Sequence, residues 1–534
     1  MSTSTVSGAD VVVRRLRQHD VDHIHGYPGG QLTPLYDALH RDRTIRHILA
    51  RDEQGAAFMA DGYSRARGKP GVCLAVCGPG VLNAVTPLAT AYTDSIPFLL
   101  ISGQIYRKGA GLRSGYYHEN EQLRLCETCT KWRARVESVG EIEAAIDQAF
   151  VQMRTGRPGP VLIEIPLDVF REDASDIQMS PLTPIPDASA PSTEEVGRLA
   201  ELIQSWKRPL LMVGGGVVSS GAEAPLEQLA ERLGSPVFHT AMGKSALSAR
   251  HPLHAGIPWQ RATSDLTGMD EFFSPQFREA DGLLALGCRF TQLATGNWTL
   301  PVPPSLAQID IDASELGRHY PVDLGIEADI QRTLQKLLDT LPQQSRVAWT
   351  SAKRRGVEEP WLLENHDYLT PLREALPDDA IVVADITRLA YTMMVEFPIV
   401  QRRGFLHPAG YVTMGYGIPA ALGARSAIPD RPIVALVGDG CFLMSGMELA
   451  TSVQENLPII VIVMNDGSLT LIKAIQQRRY DHRLLGVDLR NPAFALFAKA
   501  FGVQHRRVES GEQLGSAVRE SLGSETTVLI EVCL

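Results

Sequence analysis

The chain has 534 residues, well past the roughly 250–300 at which one hydrophobic core stops growing, so two to four domains are expected. Apolar residues make up 44% and charged residues 21%, and 51 Lys+Arg against 61 Asp+Glu leave a net charge of -10. This balance argues against a nucleic-acid binder or a polybasic membrane surface, while a small anionic substrate needs only a local positive site.

In chain order, Met1-Ser2-Thr3-Ser4-Thr5 lacks the basic start and apolar run of a signal peptide, and no apolar stretch reaches the ~20 residues of a membrane helix. Up to about residue 180, short apolar runs (Val72–Cys77, Phe98–Ser102, Val161–Ile165) alternate with amphipathic stretches, the pattern of a parallel sheet with helices on both faces. His23 and His25 alternate on another expected strand, with no further ligand cluster around them. Cys126 and Cys129 form a lone C-x-x-C outside any thioredoxin-type strand and turn, so a structural role is expected. Seven scattered cysteines suit a reducing compartment, and the chain reads as cytoplasmic.

The proline-rich segment Ser180–Ser192 reads as a linker. A second block, 193–345, offers strands at Leu210–Val213, Leu283–Leu286 and Ala307–Ile311. The charged stretch Ser351–Glu359 separates it from a third block, 366–534, with strands at Ile381–Ala384, Ile433–Val437, Ile459–Met464 and Val528–Val532. The expected fold is therefore α/β, with three doubly wound parallel-sheet domains at 1–180, 193–345 and 366–534. An internal repeat relates the first to the third. Gly78-Pro79-Gly80, Leu88-Ala89-Thr90 and Ile96–Ile101 run parallel to Gly438-Asp439-Gly440, Leu449-Ala450-Thr451 and Leu457–Ile462, with one residue of slippage.

Ligands of open parallel sheets sit at the carboxyl ends of the strands. There the third block places Gly438-Asp439-Gly440 and, after the next strand, Asn465-Asp466-Gly467. Taken alone, both are also good turn sequences. A carboxylate, an amide oxygen and a turn carbonyl are nevertheless suitable hard ligands for a diphosphate-bound Mg²⁺.

Gly438-Asp439-Gly440 followed after 24 residues by Asn465 resembles the cofactor motif of the thiamine-diphosphate enzymes. The resemblance implies that Asp439, Asn465 and the Gly467 carbonyl bind Mg²⁺. Gly410–Pro419 is similar to the segment that cradles the cofactor, with Met414 as a wedge and the Val412 carbonyl accepting from the 4′-amino group. Arg51–Tyr63 resembles the segment bearing the superfamily's activating glutamate, here Glu53. A carboxyl group against the pyrimidine N1′ favours the imino tautomer, which can take the proton from thiazolium C2. Read without the family, Glu53 is an acidic residue near a helix start. Further cofactor contacts implied are Pro28, Gly29, Asn83, Thr387, Gly438, Gly440, Cys441, Ser468 and Leu469.

Gly26–Gly30, Gly78–Asn83 and Gly156–Pro166 are similar to the acetolactate synthase branch. Two departures stand out. Leu471–Tyr480 lacks the tryptophan of the FAD-bearing synthases, and Thr291-Gln292-Leu293 replaces charged residues after Arg289-Phe290, so FAD is not expected in the middle domain. On the substrate side, His118 (between Tyr117 and Glu119) and Gln31 are the catalytic candidates beside Glu53.

The expected reaction is decarboxylation of a 2-oxo acid such as pyruvate with carboligation to a second carbonyl compound. Simple decarboxylation, an FAD-dependent oxidase and a nucleotide-binding regulatory subunit without chemistry are the alternatives. The resemblance further implies a homodimer or homotetramer in which Glu53 acts across the interface.

Overall fold

The computed structural model describes residues 6–259, 273–351 and 360–534, and the expected separator at 352–359 lies outside the described residues. Among the described residues the fold is three six-stranded sheets, every strand pairing parallel, each covered by helices. The first sheet contains β1 (His23–Gly26), β2 (Arg46–Leu49), β3 (Gly71–Ala75), β4 (Phe98–Gln104), β5 (Trp132–Arg135) and β6 (Val161–Pro166). Its order is β2-β1-β3-β4-β6-β5. The second contains β7 (Pro209–Val213), β8 (Val237–His239), β9 (His254–Gly256), β10 (Gly282–Leu286), β11 (Leu306–Asp310) and β12 (Leu324–Glu327), in the order β12-β11-β10-β7-β8-β9. The third contains β13 (Ile381–Ala384), β14 (Phe405–Leu406), β15 (Ile433–Gly438), β16 (Ile460–Asn465), β17 (Gln504–Val508) and β18 (Val528–Cys533), in the order β14-β13-β15-β16-β18-β17.

Counted from its own first strand, the third sheet repeats the order of the first, 2-1-3-4-6-5. The sequence repeat thus reflects two copies of one topology. The second sheet has the doubly wound order of dinucleotide-binding domains. Each strand expected from an apolar run is present within two residues of its expected ends, because the runs sit on strands buried on both faces, as in β3, β4, β10 and β15.

The first and third domains share a core. Helix Glu53–Arg67 crosses helix Gly417–Ala427 so closely that a Cβ on Gly62 would lie 2.1 Å from the Ala420 carbonyl oxygen, and one on Gly423 1.9 Å from that of Met59. Phe58, Leu88, Tyr416, Ile418 and Phe442 belong to one buried cluster spanning both domains. The proline-rich connection carries no regular structure from Ser180 to Ser192 but is fixed in place. Buried Arg15, paired with Asp147, donates to the carbonyls of Ser180 (2.7 Å) and Pro181 (3.2 Å). No helix among the described residues is long and apolar enough to cross a membrane.

Candidate active site

β15 and β16 are adjacent parallel strands whose buried valine- and isoleucine-rich runs end side by side, at Gly438 and Asn465. Asp439 opens the next helix and is almost fully buried. Its Oδ1 accepts from the N–H of Gly440 (2.8 Å), and its Oδ2 accepts from the N–H of Gly467 (2.8 Å) and from Nδ2 of Asn491 (2.7 Å). The same Asn491 nitrogen donates to Oδ1 of Asn465 at 2.8 Å, and Asn465 in turn donates to Glu531 Oε1 at 2.8 Å. Two hard oxygens from neighbouring strand ends therefore converge on one point, which is the donor set a hard divalent cation takes. The Gly467 carbonyl accepts from the N–H of Leu489 at 2.7 Å, which leaves one lone pair for a further partner. Asn491 has no signal in the sequence: no motif or spacing ties it to the pair it bridges.

Around this point stand other residues singled out from the sequence. A Cβ on Gly440 would lie 3.0 Å from Leu469 Cδ2 and 3.1 Å from Met414 Cε, so Met414 and Leu469 close over the Asp439 turn. The Cys441 thiol donates to the Ile386 carbonyl (3.0 Å), and Thr387 caps helix Arg388–Glu396 beside Gly438. The Ser468 hydroxyl donates to the Val487 carbonyl at 3.1 Å. Val412 is 42% exposed. Behind the turn, Asp385 accepts from the N–H groups of Gly417 and Ile386, both at 2.7 Å, and burial pushes its carboxyl up to about 6.

Glu53, Asn83, Gln31 and His118 stand at the carboxyl edge of the first sheet. Glu53 is the first residue of its helix, and its Oε2 accepts from Asn83 Nδ2 at 3.0 Å. A Cβ on Gly80 would come within 2.8 Å of Glu53 Oε1, so the tight glycine turn lets the carboxyl in. Gln122, which carried no signal in the sequence, holds that turn: its Oε1 accepts from the Gly78 N–H (3.2 Å), and its amide donates to Ser102 and Gly103 (both 3.1 Å). Gly29 packs against Val76, Pro28 is exposed beside it, and Gln31 packs on Gly103. The His118 main chain lies on the Gly78 turn. Its ring stacks on Tyr117 at 3.8 Å, and its Nδ1 is shielded from solvent with no hydrogen-bond partner. Glu119 is spent on its own loop, accepting from the N–H groups of Ser114, Gly115 and Tyr116. Within one chain no hydrogen bond among the described residues joins the Glu53–Asn83 pair to Asp439 or Asn465.

The remaining motifs lie apart. Cys126 and Cys129 are buried free thiols. Buried His25 bonds Ser426 Oγ at 3.1 Å, and burial holds its ring down to about 3. A cavity of about 280 Å³ lies where the three domains meet, bounded by Gly214–Gly216, Arg157, Arg289 and Asp310.

Three family descriptions match consecutive parts of the chain: "Thiamine pyrophosphate enzyme, N-terminal TPP binding domain" over residues 6–125, the central domain over 196–337 and the C-terminal TPP binding domain over 385–532. The chain belongs to the thiamine pyrophosphate enzyme family. Within it, the chain is 36% identical to the "Probable 2-ketoarginine decarboxylase AruI" of Pseudomonas aeruginosa, over 99% of this chain and 94% of that protein. It is 33% identical to an acetolactate synthase large subunit of Parasynechococcus marenigrum, over 99% of this chain and 87% of that protein. Its fold matches a solved Mycobacterium smegmatis protein, inferred to be a thiamin diphosphate-dependent enzyme, with a TM-score of 0.84 at 24% identity and 99% coverage of both chains. Each match falls within the part of the chain that forms one of the three sheets, and the N- and C-terminal matches fall on the two sheets of repeated topology.

Proposed function

We propose that this thiamine pyrophosphate enzyme binds thiamine diphosphate through Mg²⁺ on Asp439, Asn465 and the Gly467 carbonyl and decarboxylates a pyruvate-like 2-oxo acid. The remaining fragment is then joined to a second carbonyl compound. The observation that carries the reading is the convergence of Asp439 Oδ2 and Asn465 Oδ1 at the ends of β15 and β16. When bound, the cofactor supplies a thiazolium that accepts the electrons released by decarboxylation. The protein's part is positional and protonic. Glu53, fixed by Asn83, holds a proton at the aminopyrimidine ring. Pro28, Gly29, Thr387, Val412, Met414, Gly438, Gly440, Cys441, Ser468 and Leu469 shape the cofactor's surroundings. The partnerless Nδ1 of His118 and the amide of Gln31 are offered to the substrate carboxylate or carbonyl.

FAD has no place in this reading. Two of the arginines lining the cavity at the domain junction are engaged with main chain: Arg157 donates to the Tyr92 and Thr93 carbonyls and Arg289 to that of Thr93. The active unit is at least a homodimer. Leu82, Leu443, Met444 and Met447 stand exposed beside the two halves of the site, an apolar rim that a second copy would cover.

A second reading, decarboxylation with a proton as the only acceptor, is favoured by the 36% identity to a probable 2-ketoarginine decarboxylase. Incubation with a panel of 2-oxo acids, following CO₂ release and identifying products, separates the readings. Acetolactate or acetoin from pyruvate supports carboligation, and the aldehyde alone supports the second. Acetate with peroxide would move the chain to the flavin oxidases, and a stoichiometric yellow chromophore to those oxidases or to the FAD-bearing synthases.

A further inference from the structure

Between β14 and helix Gly417–Ala427 run the ten residues 407–416, which contain the proposed cradle residues Val412 and Met414 and have no sheet ladder to place them. His407 Nδ1 bonds the Ala384 carbonyl within the third domain at 2.9 Å, and further anchors are side chains of the first domain. Asp94, at the end of helix Val85–Asp94, accepts from two successive N–H groups, Ala409 to Oδ2 at 3.0 Å and Gly410 to Oδ1 at 2.7 Å. Arg65 donates to Asp94 (2.9 Å), to Asp61 (2.6 Å) and to the His407 carbonyl (3.2 Å). At the far end of the segment the Tyr416 hydroxyl donates to Asp61 at 3.1 Å. The three charged side chains are at most 7% exposed, so the attractions act in a low dielectric and every charged group is partnered.

We propose that Asp94, Arg65 and Asp61 are positioning residues that clamp both ends of residues 407–416 and so set where Val412 and Met414 meet the cofactor. The clamp rests on the assignment of those two residues to the cradle. The cluster grips His407–Gly410 at one end and Tyr416 at the other, and between them Thr90 Oγ1 donates to the Tyr411 carbonyl at 3.3 Å, so Val412 and Met414 lie between held points. Asp61 and Arg65 lie on the helix that begins with Glu53, Arg65 about 18 Å along it. One rigid element therefore presents the proposed activating carboxylate at one end and fixes a cradle segment at the other.

The test is titration of thiamine diphosphate with Mg²⁺ into the full-length protein by fluorescence, with proton exchange at C2 of the bound cofactor followed by NMR in the absence of substrate. Asp94→Asn keeps the side-chain volume but sets an N–H₂ against one of the two backbone N–H donors. It is expected to weaken cofactor binding about tenfold and to slow C2 exchange. Arg157→Gln is the control. It removes bonds to Tyr92, Thr93 and Ser95 at the same helix end without touching 407–416, and is expected to leave both readouts within about twofold of the parent. A folded Asp94→Asn protein that binds like the parent overturns the clamp, as does an Arg157→Gln protein that weakens binding equally. Should Asp94→Asn not fold, Tyr416→Phe, which deletes one hydroxyl, is expected to weaken binding about two- to threefold, and unchanged binding overturns the clamp. A parent that binds no thiamine diphosphate would instead refute the site itself, and the clamp with it.

Discussion

That Asp439 and Asn465 stand side by side could be read from the sequence, because one strand–helix–strand unit separates them and such a unit brings its two strand ends together; their proposed role as ligands came from the family resemblance. The position of Asn491 could not be read there, since it enters from a distant loop by a contact that no local rule specifies. The same division holds in the first domain, where Glu53 lies in a readable motif and Gln122 does not. Asp439→Ala removes a charged group accepting three hydrogen bonds at a crevice edge. It is expected to abolish retention of thiamine diphosphate and Mg²⁺ with circular dichroism unchanged, and cofactor bound at parental affinity would show the metal assignment to be wrong. Glu53→Gln keeps the shape and the contact with Asn83 but cannot relay a proton, so cofactor binding should persist while turnover falls by about 10²-fold or more.

At the scale of elements, strands were legible where they are buried and apolar, and illegible at sheet edges. β5 (Trp-Arg-Ala-Arg) and β17 (Gln-His-Arg-Arg-Val) are half-exposed edge strands whose polar sequences carry no hydrophobic run. The crossing of helices Glu53–Arg67 and Gly417–Ala427 was equally hidden, because Gly62 and Gly423 look like helix-weakening residues until the partner backbone is seen against them. Gly423→Ala should cost about 1–3 kcal/mol in thermal or denaturant unfolding, through overpacking at the joint between the first and third domains. Beside the same joint, Glu448 accepts from the Arg51 N–H at 3.0 Å, and burial pushes its carboxyl up to about 7 from an ordinary 4.5. Between those two values the folded chain holds a proton that the unfolded chain has released. The stability from this site is therefore complete below about 4.5 and declines as pH rises through about 7. Glu448→Gln, which can still accept from Arg51, should match the parent near pH 5 and exceed it by about 1–3 kcal/mol at pH 8. A difference independent of pH would show that Glu448 is not the titrating group.

For the whole molecule, the duplication was legible as three matching sequence blocks, and the shared 2-1-3-4-6-5 strand order is its structural counterpart. That Glu53 acts across a subunit interface is implied by the family resemblance and has no signal in the spacing of the residues themselves. The two half-sites stand on the carboxyl edges of different sheets, with Glu53 and Asn83 on one and Asp439 and Asn465 on the other, and no hydrogen bond among the described residues joins them within one chain. Apolar side chains stand exposed beside each: Leu82 next to Asn83, and Leu443, Met444 and Met447 just past Asp439. A twofold pairing would bury both rims at once and make two equivalent sites from one self-complementary contact. Complementation tests that arrangement. Glu53→Gln and Asp439→Ala subunits should each be inactive, one for want of the proton relay and the other for want of the metal. After subunit exchange, each mixed dimer should contain one site built from two intact halves and one built from two damaged halves. Random exchange of equal amounts leaves about half the dimers mixed, so activity should rise from near zero to about a quarter of the parental value. Mixed dimers shown to form by mass spectrometry yet still inactive would place Glu53 and Asp439 in the same chain's site.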